Sequence, residues 1–151
     1  MRRTPLAAAL TLALAATSVA ASGVVTGQEP DLRIGLMGPL SGANAELGTG
    51  MLLGAELGAL ALNEAGGVLG RTVEIVPIDE AGDIAAATAA AEAAIAAGLD
   101  GVVGPYSSGV GLAVLPLFLD AGIVPIHLTT VNETSGLGFT LQPKAYQIGL
   151  P

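Results

Sequence analysis

The sequence predicts an α/β fold, a doubly wound parallel sheet with helices on both faces. Three observations carry this. Short apolar runs recur along the chain, longer helix-forming segments separate them, and Gly, Pro, Asp or Ser marks the junctions. With 151 residues, 52% apolar and 12% charged, the chain has room for one domain at most.

The first apolar stretch, Leu6 to Ala21, is too short for the roughly 20 residues a membrane-crossing helix needs. It follows Arg2 and Arg3 and ends in the small residues Ser18 to Ser22, the order of a secretory signal cleaved near Ala20 or Ala21. An uncleaved anchor is the alternative, and no stop-transfer pattern follows to support it. Arg2-Arg3-Thr4-Pro5-Leu6 is too loose a match to prefer a twin-arginine route over general secretion. Residues 1–21 are therefore read as a signal peptide and 22–31 as a flexible leader, with residues 32–151 as the folded unit. The chain has no cysteine, so neither a disulfide nor a lipid-bearing thiol is available. The product is expected to be soluble and extracytoplasmic, secreted or periplasmic.

The folded part opens with Leu32 to Met37, a strand stopped by Gly38-Pro39. After the loop Ser41-Gly42-Ala43-Asn44, the residues Leu47, Met51, Ala55, Ala59 and Leu62 recur at helical spacing and predict one buried face. Gly54 and Gly58, four residues apart, suggest that this helix approaches the sheet closely, and Gly66-Gly67 closes it. Thr72 to Ile78 is β-branched and predicts the second strand. From Asp83 to Gly98 the chain is nearly all helix former: ten of the thirteen residues from Ala85 to Ala97 are alanine, with Asp83 as N-cap and Gly98 as stop. Asp100 to Gly104 predicts a short buried strand, and Pro105 to Gly109 a loop. Val110 to Ala121 predicts a helix bent at Pro116, which lacks an amide hydrogen. Ile123 to Leu128 is a fourth strand and Gly138 to Leu141 a fifth.

Without Arg2 and Arg3, three basic residues face thirteen acids, a net charge of −10. Such a surface repels nucleic acid and anionic lipid, and no basic cluster or aromatic run offsets it. One histidine and no cysteine leave only carboxylates for a metal, and Asp79, Glu80 and Asp83 lack calcium-loop spacing. Glycine pairs abound, yet none forms a dinucleotide or phosphate loop. No cofactor is expected. Asp79 reads as a strand-end residue and Asp83 as a cap.

Parallel sheets bind ligands at the carboxyl ends of their strands. That rule gathers Ser41-Gly42, Asp79-Glu80, Ser107-Ser108 and Thr129-Thr130. Ser107 and Ser108 stand where a strand becomes a helix. The unpaired amides and dipole there favour an anion such as a ligand carboxylate, if that ring of donors is held open for a guest. Alternatively, Ser107 or Ser108 caps its own helix. A nucleophilic role fits poorly: Gly104-Pro105-Tyr106-Ser107-Ser108-Gly109 is not a nucleophile elbow, and His127, within an apolar strand, reads as a packed or pocket-lining side chain. No catalytic residue is assigned, and the chain is not expected to be an enzyme.

The order of motifs resembles the start of the periplasmic binding proteins for leucine, isoleucine and valine. The matching pieces are Arg33 to Gly42, Gly54 to Leu57, Asn63 to Arg71, Asp79 with Asp83, Val102 to Ser108, and Ala121 to Ile126. The resemblance implies a two-lobed, hinge-closing receptor of the type I periplasmic-binding-protein fold that passes an amino acid or related carboxylate to the permease of an ABC transporter. A serine at the position of Ser108 then helps hold the ligand carboxylate. Thr130 takes the place of the family's pocket threonine and Thr129 that of the preceding alanine, if one residue is deleted; an ungapped alignment puts Val131 there instead. Together with Ser107 from the helix terminus and the adjacent Tyr106, the expected ligand-binding set is Ser108, Ser107, Thr130, Thr129 and Tyr106. The family often has an aromatic residue near Leu47, and none stands there in this sequence. Members of that family are much longer, so the chain reads as an N-terminal lobe whose second lobe is absent, and on its own it is expected to bind feebly. A sensory module of the same fold, reporting amides or amino acids to a signalling partner, is the alternative function.

Overall fold

A computed structural model describes residues 31–149. The predicted signal peptide and all of the predicted leader but Asp31 lie outside the described residues. Five strands form one parallel sheet in the order β2-β1-β3-β4-β5: β1 (Leu32–Gly38), β2 (Val73–Asp79), β3 (Gly101–Val103), β4 (Pro125–His127) and β5 (Phe139–Thr140). Three helices connect the first four strands: α1 (Ala45–Glu64), α2 (Ile84–Ala96) and α3 (Ser108–Asp120). The chain steps one way from β1 to β2 and the other way from β2 to β3, so right-handed crossovers place α1 on one face and α2 with α3 on the other. Accordingly, α2 packs on α3, whereas α1 packs on β1 and β2.

The main core lies on the α2–α3 face, where Met37, Ile78 and Val102 of the strands meet Val110, Val114 and Phe118 of α3. On α2 the inward residues are Ala87, Ala91 and Ala94, whose small side chains let that helix sit close. Its N-cap is Asp83, whose carboxylate accepts from the Ala86 amide at 2.8 Å. Side chains alternate along a strand, so Leu36, also buried, faces the α1 side.

The α1 face differs from the predicted one. Ala59 is buried and Met51 and Ala55 half-buried, but Leu47 and Leu62 are exposed. The close approach also falls elsewhere. Nothing stands within 4 Å of a Cβ built on Gly54 or Gly58, whereas one on Gly48 would lie 2.1 Å from the Pro39 carbonyl oxygen. The segment Gly42–Glu64 is long and apolar enough to cross a membrane by length and composition alone; here it covers β1 and β2. Its far end is tied down by Asn63, whose side chain accepts from the Val73 amide at 2.7 Å and donates to the Val73 carbonyl at 3.0 Å.

Candidate functional site

The strand order reverses at β1, which has β2 on one side and β3 on the other. Loops leaving neighbouring strands part at such a point and open a crevice at the carboxyl ends. A cleft of about 410 Å³ occupies it. Pro39 and Asn44 come from the loop after β1, Glu80 and Gly82 from that after β2, and Tyr106, Ser107 and Ser108 from that after β3; Leu128 and Thr130 follow β4, and Gln142 follows β5.

Four of the five predicted ligand-binding residues, Tyr106, Ser107, Ser108 and Thr130, meet in this cleft. Thr129 does not. It is fully buried, its hydroxyl lying 2.8 Å from His127 Nδ1 and 2.7 Å from the Thr134 hydroxyl. Consecutive residues of extended backbone point to opposite sides, so Thr130 on the cleft places Thr129 in the interior. Val131, the residue an ungapped alignment would choose, does not line the cleft.

The loops are fastened by carboxylates. One oxygen of Asp79 accepts from the amides of Leu40 at 2.9 Å, Ser41 at 3.2 Å and Ala81 at 2.8 Å, which ties the loop after β1 to the end of β2. Burial alone would raise the Asp79 carboxyl, but the Ser41 hydroxyl and these amides outweigh it and hold the group below its ordinary value. Asp79 is thus the strand-end residue predicted.

Glu80, which its position alone places with the site, corrects one expectation. Only 1% exposed, it accepts from the Ser107 amide at 3.1 Å and the Tyr106 amide at 3.2 Å. Part of the donor ring at the head of α3 is therefore consumed by the chain's own carboxylate instead of being kept for a guest. The dipole of α3 favours that negative charge. Burial pushes the Glu80 carboxyl up; the two amides pull it back, and the charge of Asp79 adds to the rise. The sequence signal for this was slight, since the partners are main-chain amides that carry no residue signature.

What stays available is narrower. The amides of Ser108, Gly109 and Val110 lie in the first turn of α3, beyond the reach of helical carbonyls, and the first helical bond there runs from Gly111 to the Ser107 carbonyl. Ser107 makes no side-chain cap, so the self-capping alternative fails for it. The Ser108 hydroxyl oxygen accepts from the Thr130 amide at 3.1 Å. That leaves its hydrogen to be donated into the cleft. A nucleophile–base pair is not formed: Ser108 pairs with Thr130 while His127 Nδ1 pairs with Thr129.

The family model described as "Periplasmic binding protein" matches residues 31–148. The chain belongs to the periplasmic binding protein family. Among relatives, the Leu/Ile/Val-binding protein BraC3 of Rhizobium johnstonii is 33% identical over 128 residues, covering 84% of this chain and 35% of the relative. The Leu/Ile/Val-binding protein of Escherichia coli is 30% identical over 112 residues, covering 74% and 30%. Among solved structures, the branched-chain amino acid transporter substrate binding protein LivJ of Streptococcus pneumoniae, in complex with isoleucine, superposes with a TM-score of 0.70 at 28% identity, covering 76% of this chain and 34% of that one. The chain thus spans about a third of the length of the periplasmic binding proteins it matches.

Proposed function

We propose that this chain forms the first lobe of an extracytoplasmic substrate-binding component of an ABC transporter for branched-chain or related amino acids. The observation that carries the reading is the cleft at the head of α3, lined by Ser108 and Thr130 where the first-turn amide donors of that helix begin, in a chain whose relatives are named as Leu/Ile/Val-binding. In this reading those donors receive the ligand carboxylate. Glu80 adds negative charge to the cleft and no basic residue among those described lines it, which suits a guest that brings an ammonium with its carboxylate. A second lobe closes over the ligand and excludes water, and the loaded receptor docks on membrane permease subunits.

The test is an amide-resolved NMR titration of the expressed chain with leucine, isoleucine and valine. Saturable shifts are expected at Ser108, Gly109 and Thr130, weaker than roughly 0.1 mM with one wall of the cleft present. Leucine methyl ester, which lacks the carboxylate, should produce none of them. Amides that stay unmoved by all three amino acids at roughly 10 mM would overturn the assignment of the site.

A further inference from the structure

A second cavity, of about 170 Å³, lies beyond the carboxyl end of β4 and shares no lining residue with the cleft. His127, Thr134, Ser135, Lys144 and Tyr146 are among the residues that line it. Two carry an unusual burden for their burial: Lys144 is 4% exposed and His127 1%. The Lys144 ammonium donates to the Thr134 hydroxyl at 2.6 Å, the Thr129 carbonyl at 3.1 Å and the Thr129 hydroxyl at 3.4 Å.

Counting protons fixes the histidine. The Thr134 hydroxyl spends its hydrogen on the Val131 carbonyl at 2.8 Å, so in the 2.7 Å contact between the two threonines Thr129 is the donor. Thr129 then has no hydrogen left for His127, and the 2.8 Å contact between them requires the proton on Nδ1. Neutral His127 therefore keeps its lone pair on Nε2. Among the described residues that atom has no partner and no fully buried polar side-chain atom is left unpaired, so Nε2 opens on the cavity.

The charge around this group is one-sided. Among the described residues no acid pairs with Lys144; the ion pairs are Arg33 with Glu74 and Arg71 with Asp100. Of the elements packed near β4, α3 brings only Asp120, at its far end, and the turn Asn132–Thr134 brings Glu133, which is exposed. Tyr146 is the other titratable residue lining the cavity. A buried cation without a counter-charge is costly. The hydroxyls of Ser135 and Tyr146 make no hydrogen bond with other described residues.

We propose that this cavity is a proton-coupled anion site, in which a small anion of about acetate or sulfate size sits beside Lys144 and is received by His127 protonated at Nε2 and by the hydroxyls of Ser135 and Tyr146. The direction of coupling follows from the charges. Burial, and then the charge of Lys144, hold His127 below its ordinary value, and an anion beside the ring works against both by stabilising its cationic form.

His127 is the only histidine in the chain, so its ring signals report without ambiguity. The expressed chain is titrated with acetate and with sulfate at pH 5 and pH 8 while the His127 ring protons are followed by NMR. Saturable shifts are expected, with affinity about tenfold tighter at pH 5 and the His127 titration midpoint moved upward by the anion. Lys144→Met should lose the binding, and Ser135→Ala, which leaves the buried network intact, should weaken it. Shifts that do not saturate, or an affinity equal at the two pH values, would overturn the proposal in the unaltered chain. Unchanged binding in a folded Lys144→Met protein would do the same.

Discussion

Replacing Gly48 by alanine should destabilise the fold, although alanine is the better helix former. Gly48 lies in the first turns of α1, and its Cβ would stand 2.1 Å from the Pro39 carbonyl oxygen, 2.5 Å from the carbonyl carbon and 2.9 Å from the Leu40 nitrogen. All three are main-chain atoms, so no rotamer change relieves the clash; the helix or the loop must move by about 1 Å. Forced overpacking of this kind costs about 3 kcal/mol, against about 1 kcal/mol gained from helix propensity. The net loss of about 2 kcal/mol corresponds to roughly 8 °C in Tm for a domain of this size. Gly54→Ala is the control on the same helix: with nothing within 4 Å, it should gain about 1 kcal/mol, or roughly 4 °C. Thermal unfolding followed by circular dichroism reads both. Equal shifts of the same sign would refute the argument, because the two sites would then differ in nothing but position. Pro39 also lines the cleft, so Gly48→Ala should disturb ligand-induced shifts as well as stability.

Other perturbations separate the roles assigned above. Thr129→Val removes the hydroxyl shared by His127, Thr134 and Lys144 and should cost about 2–3 kcal/mol in urea unfolding while leaving the cleft hydroxyls in place. In a version of the protein carrying both lobes, Ser108→Ala should weaken carboxylate ligands by about 1–3 kcal/mol by calorimetry; an equal loss of stability without ligand would make Ser108 purely structural. Glu80 gives a pH signature. Because its folded-state carboxyl is raised, it favours the folded state below the ordinary glutamate value, and that contribution is lost as pH climbs through the folded value. Asp79 acts in the opposite sense, its contribution being present above the ordinary aspartate value and lost as pH falls through its lowered one. Glu80→Gln should therefore flatten the decline of stability on the alkaline side of the ordinary glutamate value and leave the acid limb unchanged, as read from urea midpoints across pH.

The elements were legible wherever their signals are local. Asp83 caps α2 because a side-chain oxygen three residues before an amide needs nothing from the rest of the chain. Gly66 and Gly67 end α1 with positive φ for the same kind of reason. The face of α1 was misread in part because apolar residues surround it: Leu47, Leu53, Leu57, Leu60 and Leu62 are all exposed. The inward side instead combines Met51, half-buried against Gly38 of β1, with the small residues Ala55 and Ala59, while Gly48 meets the backbone of Pro39 and Leu40 in the loop after β1. Spacing alone cannot distinguish a small residue chosen for contact from one that merely tolerates exposure.

The site divides along the same line. Topology and strand ends were enough to bring Tyr106, Ser107, Ser108 and Thr130 into one cleft, because a parallel sheet delivers its loops to a common edge. Alternation along the chain after β4 could also have separated Thr129 from Thr130. The role of Glu80 was not readable. A carboxylate's choice between a ligand, a metal and a main-chain amide depends on which donors the fold brings to it. Here it takes the Tyr106 and Ser107 amides, so the chain neutralises part of the helix terminus that a ligand would otherwise claim. On the function proposed above, a ligand carboxylate would lie further along α3, at the Ser108 end of its first turn, with Glu80 on its flank. A guest of single negative charge would meet repulsion there, whereas a zwitterion can turn its ammonium toward Glu80 and leave its carboxylate on the first turn.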